Sequence, residues 1–185
     1  MPSDYRGYLI AAHPANPSDA DRFAVMMMIN HTPDYSFAVQ INRIAENHDL
    51  TTICENLGIS LDTQDPVYHG GNIGIGRVHV IHSLDWEGLT TIPLTDDIGV
   101  TNDISILAAI STGEGPDFYR ACAGHHVWTQ GKFNYQIDPR NYPSDEKIRW
   151  EAVPATLENT FIDDGIIQWK QVLEESACFQ VSSWF

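Results

Sequence analysis

The sequence predicts an α+β fold, and three observations carry that prediction. Runs of strand length and hairpin signals mix with four or five helical stretches, without the regular strand–helix alternation that a parallel sheet requires. A chain of 185 residues suits one domain, so 1–185 is expected to be a single unit. Hydrophobic content is 43%, with five tryptophans and seven phenylalanines spread along the chain, which is enough to build a core without a disulfide or metal staple.

The elements follow in order. Residues 7–12 (GYLIAA) read as a short buried strand. Pro14 and Pro17 break it, because each disfavours helix in the residue before it. Residues 23–30 (FAVMMMIN) form an apolar run of strand length whose propensities also leave helix open. A turn at 31–35 leads to 37–42, the second arm of a hairpin. A short helix is expected over 51–58, capped by Thr51 or Thr52, with Ile53 and Leu57 one turn apart and Gly58 as its stop. A strand at 77–82, a turn at 85–88 and a strand over 95–101 come next. From Asn102 or Asp103 the pattern Ile104, Leu107, Ala108, Ile110 marks an amphipathic helix that Gly113 stops.

Gly115 and Pro116 turn the chain into a strand over 118–124. A short helix is expected over 128–137, carrying Trp128, Phe133 and Ile137 inward, after which Pro139 and Pro143 end regular structure. Residues 148–153 suit a strand or a short helix. The last helix runs from Asp163 or Asp164 to Ala177, with both carboxylates at the positive end of its dipole. Ile166, Trp169, Val172 and Leu173 fall on one of its faces. The apolar tail 179–185, with Trp184, is expected to dock on the body or on a neighbouring subunit.

Charge narrows the function classes. The formal net charge is −15, and the ten lysines and arginines are scattered singly. Nucleic-acid binding needs clustered cations to neutralise phosphates, so no direct contact with DNA is expected. No apolar run approaches the roughly 18 residues of a membrane span, and residues 1–14 have no basic n-region of a secretory signal. Cys54, Cys122 and Cys178 lie far apart without a C-x-x-C, which suits small buried hydrophobes in a reducing compartment. A cytoplasmic location is expected.

The stretch richest in chemistry is YHGGNIGIGRVHVIHS at 68–83. Gly71 and Gly76 have the spacing of a phosphate-binding loop, but the Lys and Ser/Thr that must follow are Arg77 and Val78. The following segment is β-branched, whereas a phosphate cradle needs a helix N-terminus there. The dinucleotide pattern also fails, at His79. The remaining reading is a glycine turn or bulge before a strand. On a strand, His79 and His82 project to opposite faces, as do His125 and His126, so neither pair chelates one ion unless a bulge intervenes. A metal site would have to be assembled from His69, His79 or His82 together with His125 or His126. No G-x-S-x-G elbow is present, Ser83 neighbours His82 only in sequence, and the apolar setting of Cys122 raises a thiol pKa. The adjacent pairs Asp96-Asp97 and Asp163-Asp164 suit turns or helix starts.

These pieces together resemble the AlgH/YqgE family, small bacterial proteins often labelled transcriptional regulators without a settled activity. The resemblance runs from about Gly7 to Ala177. GYLIAA resembles the family's "fLIAmP", Asn30-His31 its "EH", and residues 39–42 its "LiIN". Residues 67–72 resemble "v..GGP", residues 77–83 "rgfvLHs", and residues 98–101 (IGVT) the "lT" before its helix. Gly124, Trp128 and Gly131 resemble "GyagWgaGQLE.E", and Trp169 the tryptophan of the last helix. Three departures fall on polar positions. Ile29 stands where the family often has cysteine, Asn134 and Gln136 stand where it has glutamates, and Asp103-Ile104-Ser105 exchanges the residues of its "S.D".

The resemblance implies a bent, mostly antiparallel sheet or pseudo-barrel flanked by short helices. It implies a non-enzymatic protein, of the sort labelled a transcriptional regulator, that acts by binding a protein partner or a small ligand, of bacterial or phage origin. His69, Gly70, Gly71, His82, Ser83, Thr101, Gly124 and Trp128 are the candidate ligand-binding residues. No catalytic residue, metal or cofactor is expected. The alternative is an enzyme or metal-binding protein whose cleft gathers His82 and His69 with His125 or His126 near Trp128.

Overall fold

The computed structural model describes residues 2–17, 21–61, 63–141 and 148–182. Pro143 and the tail residues 183–185, Trp184 among them, lie outside the described residues. The chain runs β1 (Tyr8–Ala12), β2 (Val25–His31), β3 (Tyr35–Gln40), β4 (Ile44–Asp49), α1 (Leu50–Asn56), β5 (Pro66–His69) and β6 (Ile73–Ser83). It continues through β7 (Ile92–Pro93), β8 (Ile98–Thr101), α2 (Ser105–Thr112), β9 (Tyr119–Thr129), α3 (Lys132–Ile137), β10 (Trp150–Pro154), α4 (Leu157–Thr160) and α5 (Gly165–Ser182). The strand order is β10-β1-β2-β3-β9-β6-β8-β7, and β4 joins through β5, which pairs β9. Among the described residues only the β5–β9 pairing is parallel. The architecture is the expected α+β fold with a curled, mostly antiparallel sheet.

The apolar run of β2 is a strand because both of its faces are covered. Val25, Met27 and Ile29 point into one core with Trp169 and Val172 of α5. Met26 and Met28 point the other way, against Trp128, Phe133 and Trp150. β1 alternates in the same way, Leu9 and Ala11 against Ile10 and Ala12. A third cluster packs Val80, Val67, Ala121 and Ala123 under Leu50 and Cys54 of α1 and Ile106 and Leu107 of α2. Strands covered on both faces read as continuous hydrophobic runs, whatever their direction.

Several expectations about single elements are corrected. The cap of α1 is Asp49, whose carboxylate accepts the Thr52 N–H at 2.7 Å, and not a threonine. The fully buried residues of α1 are Leu50 and Cys54, whereas Leu57 is 45% exposed. In α2 Ile106 and Leu107 are buried, while Ile104 is 53% exposed and Ala108 faces out. Trp128 lies within strand β9, which ends at Thr129, instead of opening a helix, because Gln130 and Gly131 take positive φ and α3 begins only at Lys132. Residues 150–154 are strand. Asp164 caps α5 through the Ile166 and Ile167 N–H groups, and Ile166 lies outside the buried face. Cys54 and Cys122 are buried as expected, but Cys178 is exposed.

β9 is the hub of the sheet. One of its edges carries β6; the other is shared between β5, along Ala121 to Ala123, and β3, along His126 to Thr129. The handover falls at Gly124. Beneath the hub Arg120 is 4% exposed and joins three segments. Its guanidinium donates to the Ile41 carbonyl at 2.7 Å, to Gln168 Oε1 at 3.0 Å and to the Ile162 carbonyl, and lies 4.7 Å above the Tyr68 ring.

Candidate functional site

The glycines of residues 68–83 and Gly124 meet as backbone against backbone. The Gly70 N–H donates to the Ala123 carbonyl at 2.7 Å, and the Gly70 carbonyl accepts from the Gln40 N–H at 2.9 Å. A Cβ on Gly70 would stand 2.3 Å from the Gly124 carbonyl oxygen, and one on Gly124 would stand 2.3 Å from that of Gly71. Gly124 has φ +81, which L side chains resist. Gly70, Gly71 and Gly124 therefore meet, and they build a chain crossing.

Four residues of β6, Gly74 to Arg77, stand against the single Gly124 of β9 in a wide bulge. The glycine turn is thus an overhang within the strand. It leaves Ile75, 61% exposed, and Arg77 open to solvent.

The histidines separate into groups. His79 and His125 sit 5.5 Å apart, ring centre to ring centre, and both touch Phe37. His126 lies against Trp128 at 6.2 Å and feels the charge of His69. Burial, with the nearby His125 and Arg77, lowers His79 to about 4. Burial lowers His126 to about 4 although Asp21 pulls it upward. His82 is elsewhere: it pairs with Tyr119, nine residues before Trp128 on β9, or roughly 30 Å of strand at about 3.3 Å per residue. The cleft gathering His82 with His69 and His125 or His126 near Trp128 does not form. His82 lies in packed core, with Nδ1 against the Ser83 carbonyl at 2.9 Å and its ring on edge to Trp86. Burial lowers its pKa, partly offset by that carbonyl and by Asp85. Among the described residues no group of three or more His, Cys, Asp or Glu is arranged to hold a metal ion.

The other candidates have structural partners. The Ser83 hydroxyl donates to Asp85 and accepts the Phe118 N–H at 3.1 Å, so it makes no contact with His82 as a base. Thr101 Oγ1 contacts Thr90 Oγ1 at 2.9 Å and accepts the Asp103 N–H at 3.1 Å. Trp128 and Trp150 both donate their indole N–H to Gln136 Oε1, at 3.1 and 2.9 Å. Burial pushes the Cys122 thiol up to about 12 despite neighbouring Arg120, which leaves it no thiolate at neutral pH. Of the eight candidate positions all but His69 are buried.

One open feature is a cleft of about 460 Å³ between α1 and α2 over β6. Val78, Val80 and Ala123 form its floor, Ile53 and Leu57 one wall, Ile104 and Leu107 the other. The overhanging Ile75 and Arg77 close one end, and His48, Asn56, Asn102 and Asp103 line its rim. Sequence reasoning missed this site. Its signal lay in Leu57 and Ile104, apolar residues at helical spacing that the fold leaves uncovered.

The sequence profile of the AlgH-like family matches residues 9–177, which includes the whole cleft. The chain belongs to the AlgH-like family. It is 26% identical over 176 residues to a UPF0301 protein of Methylococcus capsulatus, covering 94% of this chain and 92% of that one. A UPF0301 protein of Sphingopyxis alaskensis is 26% identical over 159 residues, 83% of this chain and 85% of that one. The solution structure of the AlgH protein from Pseudomonas aeruginosa superposes with a TM-score of 0.72 at 20% identity, over 94% of this chain and 88% of that one. The crystal structure of protein DIP2367 from Corynebacterium diphtheriae gives 0.71 at 16% identity, over 94% and 87%. Both structural likenesses concern the fold alone. At the positions where the AlgH pattern has glutamates, this AlgH-like chain satisfies its neighbours with amides. Asn134 Oδ1 lies 2.8 Å from His31 Nε2, and Gln136 takes the two indoles.

Proposed function

We propose that this AlgH-like chain is a non-enzymatic binding protein that takes a small ligand in the cleft between α1 and α2. One observation carries the reading: Leu57, Ile75 and Ile104, 45, 61 and 53% exposed, all open onto the same cleft of about 460 Å³. Small-molecule sites are typically concave, mostly apolar and roughly 300–1,000 Å³ in volume. Any regulatory role runs through occupancy of this cleft and a protein partner in the cytoplasm, because a net charge of −15 opposes direct contact with DNA. Gly70, Gly71, Gly124, Thr101, Ser83, His82 and Trp128 act one step back, holding the sheet and the β6 overhang that shape the cleft.

The test is a thermal-shift screen of small metabolites with the wild type and the doubly substituted Ile75→Asn/Ile104→Asn protein. Both side chains are more than half exposed, so the double variant keeps the fold. Compounds that raise the melting temperature of the wild type only support the reading. A screen in which every stabilising compound acts equally on both proteins, or turnover of a substrate by the pure wild type, overturns it.

A further inference from the structure

We infer that the cleft ligand is a medium-chain aliphatic carboxylate, its chain lying between α1 and α2 and its head group held by Arg77. This rests on the cleft being the ligand site. The walls argue for the chain. They are aliphatic, from Ile53, Leu57, Val78, Ile104 and Leu107, and no Phe, Tyr or Trp lines the cleft. The walls and floor therefore offer a flat ring no aromatic stacking surface, which is the usual source of affinity for such groups, and its only planar neighbours are His48 and Arg77 at the rim. A flexible methylene chain needs only apolar area, at roughly 0.8 kcal/mol per buried CH₂.

Arg77 argues for the head. It is one of only seven arginines in a chain of net charge −15, yet the β6 bulge carries it to the mouth of an apolar cleft. Among the described residues it makes no hydrogen bond or ion pair. Its planar fork suits bidentate pairing with a carboxylate. The one carboxylate in the lining, Asp103, already accepts the Ser105 N–H at 2.9 Å at the start of α2. His48 sits on the same rim as a second donor.

Calorimetric and amide-shift titrations with octanoate, octanol, octylammonium and acetate, below micellar concentrations, test the inference on the wild type and Arg77→Gln. Octanoate is expected to bind about tenfold tighter than octanol, the worth of one charge-assisted contact. Octylammonium is expected to bind weakest and acetate not measurably, with shifts at Leu57, Ile75 and Ile104. Arg77→Gln, a change at an exposed residue, should bring octanoate down to octanol. Equal binding of octanoate and octanol, or a charge preference that survives Arg77→Gln, overturns the carboxylate assignment and leaves the cleft as the ligand site. Absence of any shift in the cleft with these probes, while library compounds do shift it, overturns the ligand class; absence with both overturns the cleft itself.

Discussion

The glycine crossing can be tested by three alanine substitutions that separate its causes. At Gly76 an added Cβ meets nothing within 4 Å and the backbone is not left-handed, so Gly76→Ala should be neutral or slightly stabilising by less than about 1 kcal/mol. At Gly58 the space is also open but φ is +75. Gly58→Ala therefore isolates the conformational penalty of about 1–2 kcal/mol, reduced by the lost freedom of the unfolded chain. At Gly124 φ is +81 and the Cβ would stand 2.3 Å from the Gly71 carbonyl oxygen and 3.1 Å from that of Ile73. Those obstacles are backbone atoms held in the β5–β9–β6 ladders and cannot swing aside. Overpacking of this kind adds about 1–3 kcal/mol, so Gly124→Ala should cost roughly 2–5 kcal/mol in all. In a chain of this size that is a fall in Tm of roughly 10 °C. Urea unfolding of the three variants gives the order directly. If Gly124→Ala lies within about 1 kcal/mol of Gly58→Ala, the strands do not cross as closely as described and the crossing has no claim on glycine.

Two further predictions concern charge. His79 and His126 titrate at about 4 in the folded chain against 6.5 unfolded, so the unfolded state takes up protons first on acidification. Their contribution to stability is complete above pH 6.5 and lost as the pH falls toward 4; it amounts to about 3 kcal/mol for both, after halving the full linkage value for partial exposure. A urea midpoint that falls just as steeply between pH 7 and 4.5 in the His79→Gln/His126→Gln protein as in the wild type would refute this. Arg120→Lys cannot reach the Ile41 and Ile162 carbonyls and Gln168 together and should cost about 3 kcal/mol, leaving buried acceptors unpaired. A loss below about 1 kcal/mol by urea unfolding would show that these segments are held by packing alone.

What was legible in the sequence followed from the kind of information periodicity holds. The strand at β1, the hairpin of β2 and β3 and the long α5 helix announce themselves through which residues are apolar, and Asp164 announces the start of α5 because its carboxylate serves backbone N–H groups two and three residues away. The crossing was not legible, because Gly70 and Gly124 lie far apart in sequence and a missing Cβ says nothing about which backbone fills its place. The phosphate-loop test turned on the residue types of Arg77 and Val78 and treated the bulge as a connector, whereas the bulge precedes Val78 directly and Arg77 joins the cleft lining. Helical spacing marks Ile53, Leu57 and Ile104 as apolar and stops there; whether a neighbour covers them depends on how far α1 and α2 stand apart on β6. That gap is set by Leu50, Cys54, Ile106 and Leu107, which carry the packing of both helices and leave Leu57 and Ile104 exposed on the cleft. The same spacing rule therefore predicted a core and produced a cleft, and the residues it misplaced are the exposed ones that line it.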